Sequence, residues 1–204
     1  KTIAILLTLC MLVGMVPITV SAAGSLSGDC TDLFPNGVPD GVSVSIANDT
    51  EYPWVQDEYG TYKSTMHDDS SSAAITVDIT VPDDGKTYIL NYDYCCSSEA
   101  NYDKLIVDTS EFSGDTGWCS SFAVLTSGAN TVSFSYEKDD SSSDGTDEVW
   151  VGNFICCQVL SGVTLSYTHG GKTDSISEFG QTLIMPTGAV EAMSISYPSD
   201  GYTY

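Results

Sequence analysis

The sequence predicts an all-β protein whose main part is a two-sheet antiparallel β-sandwich. Apolar and polar residues alternate with a period of two in a series of short runs, which is the pattern of strands with one buried face. Clusters of Gly, Asp, Ser and Asn separate these runs. No stretch after residue 23 shows the 3.6-residue period of a helix. Short alternating strands between turn clusters are typical of a sandwich.

The predicted strands follow one another along the chain at short spacing. They are the runs 42–46, 74–81, 88–94, 104–108, 121–125, 131–136 and 149–155. Turns at 82–85 and 127–130 separate neighbouring runs, and 139–147 is a polar loop with four Asp and three consecutive Ser. After residue 162, further runs at 163–167, 181–185 and 193–197 predict the start of a second, small β module.

The first 23 residues predict a secretory signal peptide. Lys1 precedes an apolar run that closes on small residues, so cleavage is expected after Ala22 or Ala23. The run is interrupted by Gly14 and Pro17 and is short for a membrane span of about 20 residues. We therefore expect an extracellular or cell-surface location, with no membrane insertion after cleavage.

These signals predict three parts of the chain. Residues 1–23 are the signal peptide, 24–158 the sandwich, and 159–204 the beginning of a second β module that is truncated. The missing initiator Met and the final Gly-Tyr-Thr-Tyr, which reads as the start of a strand, indicate a fragment of a longer protein.

The charge of the chain excludes one class of partner. Six basic residues, all Lys, face 28 acidic residues, and the net charge is −22. Such a surface repels nucleic-acid phosphates and anionic membranes, so nucleic-acid binding is not expected.

The cysteines predict disulfides in an exported chain. Cys10 leaves with the signal peptide, and an even number of cysteines remains. The candidates are Cys30, Cys95, Cys96, Cys119, Cys156 and Cys157. Because neighbouring side chains of a strand point to opposite faces, each Cys-Cys doublet would place one sulfur in the core, and we expect a bridge between one member of each doublet. The alternative is a set of buried apolar thiols. Zinc is not expected, because there is no Cys-x-x-Cys and neither histidine has ligand spacing to a cysteine.

An ordered set of short motifs lies between residues 52 and 154. They are Tyr-Pro-Trp-Val at 52–55, Ser-Ser-Glu at 97–99 with Tyr-Asp-Lys-Leu at 102–105, Ser-Gly-Asp-Thr-Gly-Trp at 113–118, Ser-Gly-Ala-Asn-Thr at 127–131, Tyr-Glu-Lys-Asp at 136–139 with Ser-Asp-Gly-Thr-Asp at 143–147, and Val-Gly-Asn-Phe at 151–154.

In this order the motifs resemble the MAM-like, concanavalin-A-like jelly-roll modules of bacterial secreted and surface proteins, which are relatives of cleaved-adhesin modules. The resemblance covers about half of the chain. Gly152 stands where the family usually has Asp, and the cysteine doublets are not part of the family pattern. The resemblance implies a two-sheet jelly roll with a binding or adhesive role and no chemistry of its own.

The acidic loops predict a Ca²⁺ site. Calcium binds six to eight oxygens from carboxylates, carbonyls and water, and the sheets could bring two acidic loops to one end of the sandwich. The candidate ligands are Asp139, Asp140, Asp144, Asp147, Glu99 and Asp103. The alternative is a pair of solvated loops in which Lys138 and Lys104 pair locally with the acids.

Exposed aromatic residues are candidates for carbohydrate binding, because the apolar faces of sugars stack on them. The predicted ligand-binding residues are Trp54, Tyr59 and Tyr62. Trp118 and Trp150 are further candidates, although large aromatic residues more often fill the interior of a sandwich.

No catalytic residue is predicted. The chain has no Gly-x-Ser-x-Gly and no His-Glu-x-x-His, and a pair of carboxylates at a suitable distance is expected by chance among so many acids. We expect a non-catalytic adhesion or recognition module for an extracellular glycan or protein. The alternatives are a carbohydrate-binding accessory module of a glycoside hydrolase or peptidase, and a structural spacer.

Overall fold

The computed structural model describes residues 25–26 (backbone only), 33–65, 68–141, 144–159, 163–169, 171–176 and 192–196. Every named element in these ranges is a strand. They are β1 (Ser25–Leu26), β2 (Ser43–Asn48), β3 (Val55–Gln56), β4 (Tyr62–Lys63), β5 (Ser72–Val81), β6 (Tyr88–Ser97), β7 (Lys104–Val107), β8 (Ser110–Phe112), β9 (Cys119–Leu125), β10 (Gly128–Glu137), β11 (Glu148–Gln158), β12 (Thr164–His169), β13 (Lys172–Ile176) and β14 (Ala192–Ser196).

Two sheets form the sandwich that the sequence predicts. The first has the strand order β1-β2-β5-β10-β7-β8, and the second has the order β3-β4-β11-β6-β9. All pairs are antiparallel except β1 with β2. From β5 onward the chain passes from one sheet to the other at almost every connection, so β5, β10 and β7 face β11, β6 and β9. The predicted all-β fold class is confirmed.

Alternation along the strands supplies the core between the sheets. In β5 every second residue from Ala73 to Val81 is buried, while the residues between them are more exposed. Aromatic rings fill the centre of this interface. Phe134 of β10 lies edge-on to Tyr92 of β6 at 4.9 Å between ring centroids and stacks on Phe154 of β11 at 5.1 Å.

Short elements account for most differences from the predicted strands. β3, β4 and β8 have two or three residues each, too few to show alternation. β10 and β11 extend beyond the predicted runs at both ends. The predicted run 181–185 lies outside the described residues.

The chain divides into two compact units, with a boundary between Gln158 and Val159. In the unit that follows this boundary, β12 is the central strand of a three-stranded antiparallel sheet with the order β13-β12-β14. The hydroxyl of Tyr167 on β12 donates to Asp174 Oδ2 on β13 over 3.1 Å. No helix in the described ranges has the length and apolar character that a membrane crossing requires.

Candidate functional site

Asp147, a predicted calcium ligand, lies with Lys138 in a buried ionic cluster, and Asp103, another predicted ligand, belongs to the same cluster. Lys138 follows β10 directly, and Asp147 directly precedes β11. Lys138 Nζ donates to Asp147 Oδ2, and the hydroxyl of Tyr136 donates to Asp147 Oδ1 over 2.8 Å. The side chain of Lys138 has an exposed fraction of 0%, and Asp147 is also buried. This contact links the end of a strand in the first sheet to the start of a strand in the second.

Asp103 reaches the same cluster from the loop between β6 and β7. Its side chain is fully buried, and its Oδ1 accepts a hydrogen bond from the backbone N–H of Asp139 over 3.0 Å. Burial raises the pKa of Asp103, and the charge of Asp147 acts in the same direction, while the N–H of Asp139 and the charge of Lys138 oppose the shift. Asp103 Oδ2 accepts no hydrogen bond from an N–H or O–H group of the described residues. Burial and the neighbouring Asp147 charge therefore favour the neutral form of Asp103 more than in an exposed aspartate.

Backbone geometry brings the loop 138–147 close to the end of β6. Gly145 has a φ of +70°, and a Cβ at this position would lie 2.5 Å from Ser97 Oγ. The same Ser97 hydroxyl accepts the backbone N–H of Thr146 over 3.1 Å. Glycine at 145 therefore permits the close approach that precedes Asp147.

The other predicted calcium ligands do not converge on one point. Asp139 Oδ1 accepts the N–H of Ser141, and Asp144 Oδ1 accepts the N–H of Gly145. Asp140 and Asp144 are exposed, whereas Glu99 is partly buried and its Oε2 accepts no hydrogen bond from the described donors. Across the described part of the chain, no three His, Cys, Asp or Glu side chains are placed to hold a metal ion. Ser142 and Ser143 of the loop lie outside that part, and Ca²⁺ binding stays a prediction.

Of the three predicted ligand-binding aromatic residues, only Tyr59 is exposed. Trp54 and Tyr62 are buried in the core, so their predicted role as exposed stacking surfaces is wrong. The side-chain amide of Asn48 holds the backbone of Trp54 through two hydrogen bonds, and Tyr62 lies on β4 beside the core strand β11. Tyr59, with an exposed fraction of 82%, sits in the β3–β4 turn, where its N–H donates to Asp57 Oδ1.

Two other exposed aromatic residues lie on neighbouring loops of the sandwich: Trp118, which the sequence offered as a further candidate, and Tyr102, which it did not single out. Trp118 and Tyr102 have exposed fractions of 57% and 58%. They belong to the loops 113–118 and 98–103, which we call the paired loops. The N–H of Asn101 donates to Ser113 Oγ over 2.9 Å, and a Cβ on Gly114 would be in van der Waals contact with Ala100. In the sequence, Gly117 was the feature that could have indicated the exposure of Trp118. Its φ is +60°, and it ends the turn before β9, which leaves Trp118 outside the alternating run.

The register of β6 and β11 rules out the predicted bridge between the cysteine doublets. Cys96 is opposite Val149, and Cys156 is opposite Leu90. The doublets therefore lie at opposite ends of the strand pair, about 20 Å apart at ~3.3 Å per residue, whereas a disulfide requires Cα atoms within about 7 Å. Cys95, Cys96, Cys119, Cys156 and Cys157 form no disulfide in the structure, and Cys30 lies outside the described residues.

Buried thiols predict a loss of stability at alkaline pH. Burial raises the pKa of Cys96 and of Cys156 from 9.0 to about 12, and the neighbouring cysteine of each doublet adds to the shift. The unfolded chain loses these protons near pH 9 while the folded chain keeps them. The free energy of unfolding should therefore fall as the pH rises from 9.0 towards 12, as denaturant titrations at a series of pH values would show.

Tyrosines contribute to the same alkaline slope, so a variant is needed to isolate the thiols. Tyr88 and Tyr94 have their pKa values raised to about 12, with burial as the first cause. Replacing Cys156 with Ala should reduce the slope without abolishing it, whatever the variant's stability at neutral pH. A slope unchanged by Cys156→Ala would contradict the burial of this thiol.

Comparisons with known proteins assign the chain to no family. No protein-family model and no curated protein matches the chain. Among solved structures, the secreted serine protease VesC from Vibrio cholerae matches with a TM-score of 0.43 and 13% sequence identity. The match covers 55% of this chain and 24% of the protease chain, so this chain spans about a quarter of that structure.

Proposed function

We propose that the sandwich is a non-catalytic recognition module of a larger extracellular protein, and that the paired loops bind its glycan or protein ligand. The observation that carries this proposal is the exposure of Trp118 and Tyr102 on two loops held together by hydrogen bonds. Large aromatic side chains on a surface are typical of binding sites, because burying them against a partner removes a large apolar area from water.

The fixed backbone of the paired loops favours binding. The N–H of Thr116 donates to the carbonyl of Cys96 over 3.0 Å, and the N–H of Cys96 donates back to Thr116 Oγ1 over 2.9 Å. An isolated bridge joins Ser97 to Asp115. Because these contacts order the loops in the free protein, little conformational entropy is lost when a ligand binds.

The charge of the chain restricts the ligand to neutral or cationic groups. With a net charge of −22, the protein repels anionic polysaccharides and nucleic acids over a range set by the ionic strength. A neutral glycan fits the paired loops well, since a Trp or Tyr ring can stack on a sugar while the carboxylates of exposed acids such as Asp115 accept hydrogen bonds from its hydroxyl groups.

The second candidate function is a carbohydrate-binding accessory module of an extracellular glycoside hydrolase or peptidase. The same exposed Trp118 favours it, because the two functions share one binding chemistry. They differ in what accompanies the module, and a catalytic domain elsewhere in the full-length protein would favour this second candidate.

Replacing Trp118 with Ala should abolish most ligand binding while leaving the fold intact. Aromatic contacts at the centre of a binding site contribute about 2 kcal/mol or more, which corresponds to a loss of affinity of roughly thirtyfold. The measurement is a binding screen of the chain on soluble glycans, insoluble polysaccharides and matrix proteins, followed by titration of the Trp118→Ala variant. Its melting temperature should match that of the parent, because the ring is more than half exposed.

Two further variants locate the binding surface. Val124→Ala removes an exposed apolar side chain of β9 and should leave affinity unchanged. Tyr59→Ala tests the β3–β4 turn, and loss of binding there alone would move the site away from the paired loops. Repeating the screen with calcium and with EDTA tests the predicted metal. Absence of binding to every ligand class would instead favour a spacer.

A further inference from the structure

The contact between Lys138 and Asp147 is unusual for an ion pair in its burial. The Lys138 side chain is fully buried and that of Asp147 nearly so, and the Asp147 carboxylate accepts hydrogen bonds on both oxygens. Charges removed from water are costly, and transfer of a proton from the ammonium to the carboxylate gives a neutral amine beside a carboxylic acid. An amine and a carboxylic acid are the two functional groups that condense to form an amide bond, and here they are in contact.

Other pairs in the chain show that the nitrogen–oxygen contact alone is ordinary. Lys104 Nζ lies 2.8 Å from Glu111 Oε2, and Lys63 Nζ lies 2.6 Å from Glu148 Oε1. About a third of each of these two lysine side chains is exposed to solvent, in contrast to Lys138. Water stabilises the charged forms of the exposed pairs.

Two further groups surround the buried pair in an arrangement that suits condensation. The hydroxyl of Tyr136 donates to Asp147 Oδ1, the oxygen that would remain as the amide carbonyl. The buried Asp103 carboxyl group lies beside the Asp147 carboxyl group, and burial raises its pKa. A further acid near the amine, Asp69, lies 4.0 Å from Nζ, and about half of its side chain is exposed.

We propose that Lys138 and Asp147 condense spontaneously into an intramolecular isopeptide bond that ties the end of β10 to the start of β11. This modification is independent of the proposed recognition function. It requires no cofactor, oxidant or second substrate, because both reacting groups belong to the chain.

The reaction balances as the loss of one water. The neutral amine Nζ attacks Cγ of the protonated Asp147 carboxyl group, the Cγ–Nζ bond forms, and the Cγ–Oδ2 bond breaks. Of the three hydrogens of the original ammonium, one stays on the amide nitrogen and two leave with Oδ2 as water. Tyr136 stabilises the negative charge that develops on Oδ1. Asp103 donates a proton to the leaving oxygen and takes one from nitrogen, and it ends the reaction unchanged.

Placement of the two groups supplies the driving force that the reaction lacks in water. Groups held in contact by a folded chain react with effective molarities on the order of 10⁵–10⁸ M, which offsets the opposing concentration of bulk water. Burial of the site further limits hydrolysis of the product.

Peptide mapping tests the proposal. The chain contains no Arg, and trypsin should cleave the denatured protein after Lys63, Lys86, Lys104 and Lys172. An amide on Lys138 blocks cleavage there, so residues 105–172 should appear as one peptide, lighter than its sequence by one water. Fragmentation of this peptide should show a branch that joins Lys138 to Asp147. Lys104 and Lys63 are the internal controls, since their ion pairs should leave them cleavable.

Variants distinguish the isopeptide bond from other reasons for which trypsin would fail to cleave after Lys138. Asp147→Ala leaves the Lys138–Asp139 peptide bond in place, and trypsin should cleave it. Asp103→Asn should give a folded chain in which Lys138 and Asp147 remain largely uncondensed, so trypsin should cut it after Lys138. If Asp147→Ala fails to fold, Lys138→Arg keeps the charge and the contact but should give the full sequence mass and normal cleavage.

Two outcomes would overturn the proposal. Full sequence mass with cleavage after Lys138 in the parent chain would show an ion pair and no bond. A loss of water whose fragments place it at Asp144–Gly145, as a succinimide, would assign the missing mass to another reaction.

Discussion

Replacing Phe134 with Ala is expected to lower the free energy of unfolding by about 3–5 kcal/mol. The ring is fully buried and lies on β10, which is hydrogen-bonded on both sides, to β5 and to β7. It contacts Tyr92 and Phe154, which belong to the opposite sheet. Since neither sheet can shift towards the other without disturbing these contacts, the substitution leaves a cavity that does not collapse.

Denaturant unfolding monitored by tryptophan fluorescence measures this effect. Val124→Ala on the neighbouring sheet is the matched control, because it removes an exposed apolar side chain and should change the free energy by less than about 0.5 kcal/mol. Similar effects for the two variants would contradict the central position of Phe134 in the core.

Replacing Lys138 with Met is expected to lower the free energy of unfolding by about 3–5 kcal/mol, because the buried Asp147 then loses its cation. The methionine side chain has similar length, so lost packing contributes little. The measurement is again denaturant unfolding, at a pH well above the usual pKa of a carboxyl group.

A double variant tells apart the two ways in which Lys138 stabilises the fold. Lys138→Met with Asp147→Leu replaces both partners by apolar groups and should recover most of the loss if only an ion pair is present. If the isopeptide bond is present, the double variant stays less stable, since closing a loop of this length contributes about 2–3 kcal/mol in the chain-entropy model. Full recovery would therefore argue against the bond.

Alternation in the sequence was sufficient to predict the strands that face the core. Ile75, Val77 and Ile79 are separated by polar residues, and all three are buried in β5. Period-two alternation is a property of a single strand, so it can be detected in the sequence without knowing which strands pair. Strands of two residues, such as β3 and β4, have no period and could not be found.

Features that depend on two strands at once could not be predicted. The position of one cysteine doublet relative to the other depends on the register of β6 with β11, which a β-bulge between Gly152 and Ile155 changes locally. Burial of Trp54 depends on which elements cover it. For Trp118 the sequence left open an exposed binding role and a place in the core, and its position before β9 leaves it exposed.

The buried ionic cluster also combines a feature that the sequence predicted with one that it could not predict. The sequence suggested that the loops carrying Asp103 and Asp147 meet at one end of the sandwich, and the structure places their carboxyl groups together. For Lys138 the sequence offered only a local surface pair, as the alternative to the calcium site. Its burial follows from the packing of the loop 138–147 against the end of β6, and no local pattern encodes that packing.

The passage of the chain from one sheet to the other at most connections has a consequence for the rate of folding. Val77 pairs with Val132, and Ile46 of β2 pairs with the same Val77, so the central ladder joins segments that are far apart in the sequence. Long loops must close before any of these contacts can form, and sandwiches of this kind fold on the order of milliseconds to seconds. The chain therefore remains unfolded after synthesis for far longer than a helical protein of its size, and a chain in that state can pass through a narrow channel.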